Sequence, residues 1–206
     1  MTSFTFSVPP PEEPYSRIFV RWMSRVFLIA GAVALAYSAY FYVSAYAFQK
    51  IETIAFDRAL SGPAPNAPAI EHIVPEGGVI GRIEIGRLGV SAIVVEGDSA
   101  SLLRQAVGHA RGTAMPGEQG NLALTGHRDT FFRPLRNIRE GDVITLETEG
   151  GQYQYEVEST AIVPPTATEV LQSSGQQELT LITCYPFYFV GPAPDRFVVR
   201  ARKIGQ

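Results

Sequence analysis

The longest apolar segment of the chain lies near its N-terminus, where residues 26–48 carry no charged side chain. A helix of this length rises roughly 34 Å at 1.5 Å per residue, and a bilayer core is about 30 Å thick. Tyr40, Tyr42 and Tyr46 lie toward one end, as in an interfacial aromatic belt. The pattern predicts a membrane-spanning helix over 26–48, since a buried core helix is seldom this long without a charge.

The charges beside this segment predict its orientation. Arg17, Arg21 and Arg25 precede it, whereas the charges that follow cancel. The positive-inside rule therefore places the proline-rich tail 1–25 in the cytoplasm and the rest of the chain outside. A cleaved signal peptide is the alternative, because Ala45–Ala47 has the small-x-small form of a cleavage site, but signal cores usually span only about 7–15 residues.

The pattern beyond the apolar segment changes from helical to β. Residues 49–78 predict a helical continuation through Leu60 and then a proline-rich spacer. Residues 79–206 contain short alternating runs with turn residues between them, which predict a separate extracytoplasmic domain. In the last run Phe197, Val199 and Ala201 alternate with Val198, Arg200 and Arg202. Many short strands and few helices predict a mainly β fold, a barrel or a sandwich.

The composition argues against two classes of function, nucleic-acid binding and metal binding. The formal net charge of −3 and the pI near 5.7 argue against a nucleic-acid-binding protein. The sequence has no Cys-x-x-Cys, no His-x-x-x-His and no EF-hand pattern, so we predict no metal site and no cofactor, and calcium modulation is not indicated. A domain of about 130 residues buries enough surface to fold without a disulfide or a metal.

The single cysteine, Cys184, is the strongest candidate for chemistry. A lone cysteine outside the cytosol cannot form an intrachain disulfide, so it is either a small apolar side chain or a reactive thiol. If the strands on either side of the loop 185–195 pair antiparallel, Cys184 faces Arg196. A guanidinium favours the thiolate, and it also donates hydrogen bonds to an oxyanion formed at an attacked carbonyl.

A thiol nucleophile needs a partner that moves its proton, and His127 is the preferred candidate. It follows Gly126 at a strand end and precedes polar residues, so we expect it in a cleft rather than in a core. His109, in a loop, is the second choice and is expected to bind a backbone carbonyl. His72 lies in the proline-rich spacer, where we expect it to be solvated.

Three segments together resemble the sortases, cysteine transpeptidases of bacterial envelopes. Thr180–Cys184 matches the TLxTC motif of the family, Leu124–Phe132 resembles the segment with its catalytic histidine, and Ala193–Ala201 resembles its final strand with the catalytic arginine. The resemblance covers roughly residues 79–203. The Cys-Tyr-Pro-Phe continuation and the Gly-Pro-Ala-Pro-Asp-Arg loop look most like class D.

The resemblance implies a closed eight-stranded β-barrel with Cys184, His127 and Arg196 as the catalytic residues. It implies that the enzyme cleaves an LPxT-type C-terminal sorting signal, LPxTA or LPxTG, through a thioester. The protein is then transferred to an amine of a peptidoglycan precursor or of another protein. Thr183, Phe187 and Tyr188 are expected to form the substrate site. The implied localisation is the cytoplasmic membrane, single-pass, with the N-terminus inside.

Two other functions remain open on the sequence. An envelope cysteine hydrolase or L,D-transpeptidase would also use a thiol, although its family places the cysteine in a Ser-His-Gly-Cys-like motif that this sequence lacks. A non-catalytic, membrane-anchored β-domain that binds a partner is the other alternative. It predicts an unreactive Cys184.

Overall fold

The computed structural model describes residues 14–61, 74–189 and 191–205. The predicted tail 1–25 is therefore described only from residue 14, and most of the proline-rich spacer, with His72, lies outside the described residues. The chain divides into two compact units, Met1–Val43 and Ser44–Gln206.

The first described element is a single long helix, α1 (Pro14–Ser61). By length and composition it is long and apolar enough to cross a membrane. In the part that belongs to the first unit, large apolar side chains such as Phe27, Leu28 and Leu35 are mostly exposed. This exposure is what a lipid-facing helix requires and what a core helix of a soluble domain lacks. The helix also continues through Leu60, as the sequence predicts, and ends at Ser61.

The second unit contains eight β-strands that close into a barrel in the order β1-β2-β3-β4-β7-β8-β6-β5. The strands are β1 (Val79–Ile85), β2 (Val90–Glu96), β3 (Val107–His109), β4 (Gly120–Thr125), β5 (Val143–Thr148), β6 (Gly151–Val163), β7 (Gln177–Tyr185) and β8 (Asp195–Ile204). A short helix, α2 (Ala100–Leu103), and 3₁₀ turns at Gly86–Leu88, Arg133–Asn137 and Thr168–Leu171 connect them. The expected eight-stranded barrel is confirmed, and the sandwich alternative is excluded.

Alternation along the strands decides which side chains fill the barrel. In β7, Leu179 and Leu181 are fully buried in the main core, while Ile182 packs into a separate cluster on the outer face. In β8, Val199 and Ala201 face inward, as their spacing predicts, and Val198 is covered from outside by the turn Thr168–Leu171. Because side chains alternate along a strand, Cys184 shares the outer face with Ile182.

The strand pairing is antiparallel except for two pairs, β2 with β3 and β4 with β7. The pair of β4 with β7 joins strands that are far apart in sequence, with Thr125 opposite Ile182. β7 then pairs antiparallel with β8. The three strands that precede or carry the predicted catalytic residues are therefore neighbours on the barrel wall.

The C-terminal part of α1, which belongs to the second unit, packs on the wall formed by β1 and β2. Phe48 contacts a small apolar cluster of Ile93, Val95 and Ala106. Farther along the helix, Phe56 is buried, and the guanidinium of Arg82 lies 5.8 Å from its ring centroid. Arg82 Nη1 also donates to Asp57 Oδ1 at 2.8 Å. The helix from Phe48 onward is thus part of the barrel's outer packing.

Candidate active site

Cys184 and Arg196 lie directly opposite each other on neighbouring strands. Cys184 is paired with Arg196 in the antiparallel register of β7 and β8, which confirms the pairing expected from the sequence. The thiol is free and half-buried. Arg196 Nη1 donates to the carbonyl oxygens of Asp195 at 3.0 Å and Ala193 at 3.4 Å. These bonds hold the guanidinium against the backbone at the start of β8.

His127 is brought to the same place by the β4–β7 pairing. β4 ends at Thr125, so the histidine lies just past the strand rather than at its last position. The Gly126 N–H donates to Ile182 O at 3.1 Å, and Thr183 Oγ1 donates to Gly126 O at 2.7 Å. A Cβ on Gly126 would lie only 2.6 Å from the Phe132 ring, so glycine is required for this close approach.

These residues line one cavity of about 210 Å³ on the outer face of the barrel. Its walls are formed by Asp98, Leu103, Thr125, Gly126, His127, Ile182, Thr183, Cys184 and Arg196. A larger surface depression of about 540 Å³ lies elsewhere, but neither cysteine nor histidine lines it. The structure therefore brings the three predicted catalytic side chains together, although they are distant in sequence.

The surroundings of His127 change its affinity for a proton. Burial lowers the pKa of the imidazole below its ordinary value; the Asp129 carboxylate raises it, and the Arg104 guanidinium lowers it. Burial is the largest of the three effects. The neutral imidazole, which accepts a proton, is therefore favoured to a lower pH than in a solvated histidine.

The three predicted substrate residues lie in different environments. Thr183 lines the cavity, but its side chain is 2 % exposed and its hydroxyl is bound to Gly126 O. Phe187 packs against the main core, and its ring is 5.3 Å from that of Phe197. Tyr188 is 78 % exposed, and its ring centroid is 5.6 Å from the Arg136 guanidinium carbon. Neither Phe187 nor Tyr188 lines the cavity of Cys184.

Two wall residues were not anticipated as site residues. Asp98 and Leu103 come from the loop after β2 and from α2. Leu103 supplies an apolar wall. Asp98 is exposed, and in the part of the chain that the structure describes it forms no ion pair. Nothing in the local sequence shows that this loop lies beside β4 and β7.

The second-choice histidine has a structural environment. His109 is 3 % exposed, its Nδ1 lies 2.6 Å from Glu96 Oε2, and its Nε2 lies 2.9 Å from Thr113 Oγ1 and 3.2 Å from Ala114 O. The expected contact with a backbone carbonyl is confirmed. Both ring nitrogens are engaged inside the fold, and His109 does not line the cavity of Cys184. Within the described ranges, no three His, Cys, Asp or Glu side chains are grouped to hold a metal ion.

Comparison with known proteins identifies the fold and its relatives. A family model described as the sortase domain matches residues 83–204. Sortase D of Bacillus subtilis is 36 % identical over 125 residues, which cover 60 % of this chain and 63 % of that protein. Sortase A of Bacillus anthracis is 30 % identical over 131 residues, which cover 62 % of this chain and 60 % of that protein. The chain thus spans less than two thirds of the length of both relatives.

Solved structures show the same fold. A Clostridium perfringens Sortase D5 transpeptidase superposes with a TM-score of 0.69 at 28 % identity, covering 77 % of this chain and 99 % of that one. Sortase C of Clostridium perfringens, solved with the C-terminal cell wall sorting motif, gives a TM-score of 0.60 at 28 % identity, covering 72 % and 82 %.

Proposed function

Because the chain belongs to the sortase family, we propose that it is a membrane-anchored cysteine transpeptidase of the cell envelope. One observation carries the proposal: a thiol, an imidazole and a guanidinium from three separate chain segments line one cavity on the outer face of the barrel. These are the groups that acyl transfer requires, namely a nucleophile, an acid–base group and a donor to the developing oxyanion.

In the proposed reaction the substrate carries an LPxT-type C-terminal sorting signal, LPxTA or LPxTG. The Cys184 thiol gives its proton to His127, and the sulfur attacks the carbonyl carbon of the substrate threonine, whose oxygen becomes an oxyanion held by Arg196. The C–N bond then breaks, and the protonated His127 gives its proton to the departing amine. The product is a thioester between Cys184 and the substrate threonine.

The second half of the proposed reaction resolves this thioester. The amine of a peptidoglycan precursor or of another protein attacks the thioester carbonyl, and His127 takes its proton. The C–S bond breaks and returns the thiolate of Cys184. The depressed pKa of His127 favours this step, because the neutral imidazole is the form that accepts the proton.

The substrate and subclass are inferred from relatives. The Clostridium perfringens sortase C was solved with a C-terminal cell wall sorting motif, which supports a sorting signal as the substrate class here. Similarity to Sortase D and to the Sortase D5 transpeptidase supports class D, and hence LPxTA beside LPxTG. We assign α1 as the anchor, with residues 26–48 in the bilayer, the N-terminus inside and the barrel outside.

The test is cleavage and transfer of a fluorogenic LPxTA or LPxTG peptide by the full chain in detergent, with diglycine as the acceptor amine. We expect Cys184→Ala to abolish both reactions, and His127→Ala or Arg196→Ala to lower turnover at least a hundredfold. Arg133→Ala, at an exposed position outside the cavity, is the matched control and should retain activity. Full activity of Cys184→Ala would refute the mechanism.

A further inference from the structure

Two side-chain hydrogen bonds, in addition to the backbone bond from Gly126 N–H to Ile182 O, join the segment that carries His127 to the segment that carries Cys184. Thr183 Oγ1 donates to Gly126 O at 2.7 Å, which links the residues directly before the nucleophile and before the imidazole. Arg128 Nη1 donates to Pro186 O at 2.7 Å, which links the residue directly after the imidazole to the start of the β7–β8 loop. The two bonds therefore bracket both predicted reacting groups.

Arg128 is held by its surroundings in a single orientation. It is 7 % exposed, although it directly follows His127 in a polar segment. Its Nε and Nη2 atoms donate to the two carboxylate oxygens of Asp129 at 3.3 and 3.2 Å. A buried guanidinium is tolerated only when it is paired and hydrogen-bonded, and here the fork on Asp129 leaves Nη1 pointing at Pro186 O.

Arg128 itself does not line the cavity of Cys184, so it has no direct contact with the space that a substrate would occupy. Its Nη1 atom instead contacts the backbone oxygen of Pro186, two residues after Cys184. A bond from the rigid fork of Arg128 to that backbone, together with the Thr183 bond, fixes the β4–β7 junction at two points. His127 lies between Gly126 and Arg128 in the chain, and Cys184 lies between Thr183 and Pro186.

We propose that Arg128 is a positioning residue that, with Thr183, sets the separation between the imidazole of His127 and the thiol of Cys184. The inference rests on the proposed function. Acyl transfer with a thiol and an imidazole depends steeply on their mutual geometry, and a displacement of about 1 Å is enough to cost roughly a hundredfold in rate. Loss of the Arg128 contact therefore acts on turnover rather than on substrate binding.

The first experiment compares steady-state kinetics of the full chain in detergent on the sorting peptide. For Arg128→Met we expect kcat to fall at least tenfold while KM stays within threefold of wild type. Arg128→Lys keeps a charged donor and should recover part of kcat. Arg133→Met is the matched control, since Arg133 is exposed and lies on the same connecting segment. Thermal melting in the same detergent verifies that each variant is folded.

A double-mutant cycle tests whether the two bonds act on the same separation. If they do, Thr183→Val combined with Arg128→Met should lower kcat by less than the product of the two single effects. A rise in KM alone for Arg128→Met, or a lower melting temperature with unchanged kcat, would overturn the inference. If Arg128→Met does not fold, Arg128→Lys carries the test, and a wild-type kcat for that variant overturns it.

A second readout needs no sorting peptide and so separates this inference from the proposed function. The rate of Cys184 alkylation by iodoacetamide is measured against pH in wild type, in His127→Ala and in Arg128→Met. The wild-type profile should contain an inflection that is absent from His127→Ala, and this inflection reports the coupling of the imidazole to the thiol. We expect the same inflection to be weaker in Arg128→Met. A wild-type profile in Arg128→Met overturns the inference, whether or not any peptide is cleaved.

Discussion

Replacing Gln49 with alanine should weaken the attachment of the C-terminal part of α1 to the barrel. The Gln49 side-chain amide accepts a hydrogen bond from the Ile93 N–H at 2.9 Å and donates one to Gln105 O at 2.7 Å. β2 pairs with β3 only from Val94 onward, so among the described strands none neighbours β2 on that side at Ile93. The amide supplies the donor and the acceptor that a neighbouring strand would otherwise provide.

The magnitude follows from these two bonds. A neutral hydrogen bond contributes about 1 kcal/mol net, and a buried N–H left without a partner costs about 1–3 kcal/mol. Ile93 is fully buried, so the higher range applies to its N–H. Alanine is the better helix former by about 0.4 kcal/mol, which offsets a little of the loss. We expect Gln49→Ala to lower the free energy of unfolding by about 2 kcal/mol.

The assay is urea unfolding of the full chain in detergent, followed by circular dichroism, together with hydrogen exchange of peptides that cover β2. Exchange at Ile93 should accelerate, because its amide loses its acceptor. Lys50→Ala is the control: the side chain is exposed, lies next to Gln49 and, among the described residues, forms no hydrogen bond or ion pair with the barrel. A change below about 0.5 kcal/mol with unchanged exchange would show that these two bonds do not hold the helix.

Local patterns in the sequence predicted much of the barrel, because the strands around the site are long enough to alternate. β8 runs from Asp195 to Ile204, and its inward residues follow the predicted spacing. The pairing of Cys184 with Arg196 was also predictable, since an antiparallel pair joined by one loop fixes which residues oppose each other. β3 was missed because Val107–His109 has only three residues, too few to show a period.

The remainder of the site depends on pairings that no local pattern encodes. The parallel pairing of β4 with β7 places Thr125 opposite Ile182, and this register brings His127 to Cys184. The family motifs pointed to these residues without giving the contact. Arg128 was read as one of the polar residues after His127, because its acceptor, Pro186 O, is 58 positions away. Asp98 reaches the cavity in the same non-local way.

Two further predictions concern the histidines. His109→Ala removes a buried ring that is hydrogen-bonded to Glu96, so we expect it to lower the free energy of unfolding by about 2–3 kcal/mol. The kcat of the folded protein should stay within threefold of wild type. A collapse of kcat in protein that thermal melting shows to be folded would instead make His109 the acid–base group. The pH dependence of turnover should shift in opposite directions in two charge variants. Arg104→Gln removes a charge that lowers the pKa of His127, so the limb of the profile that reports His127 should move to higher pH. Asp129→Asn removes a charge that raises this pKa, so the same limb should move to lower pH. Shifts in the same direction would show that the limb reports a group other than His127.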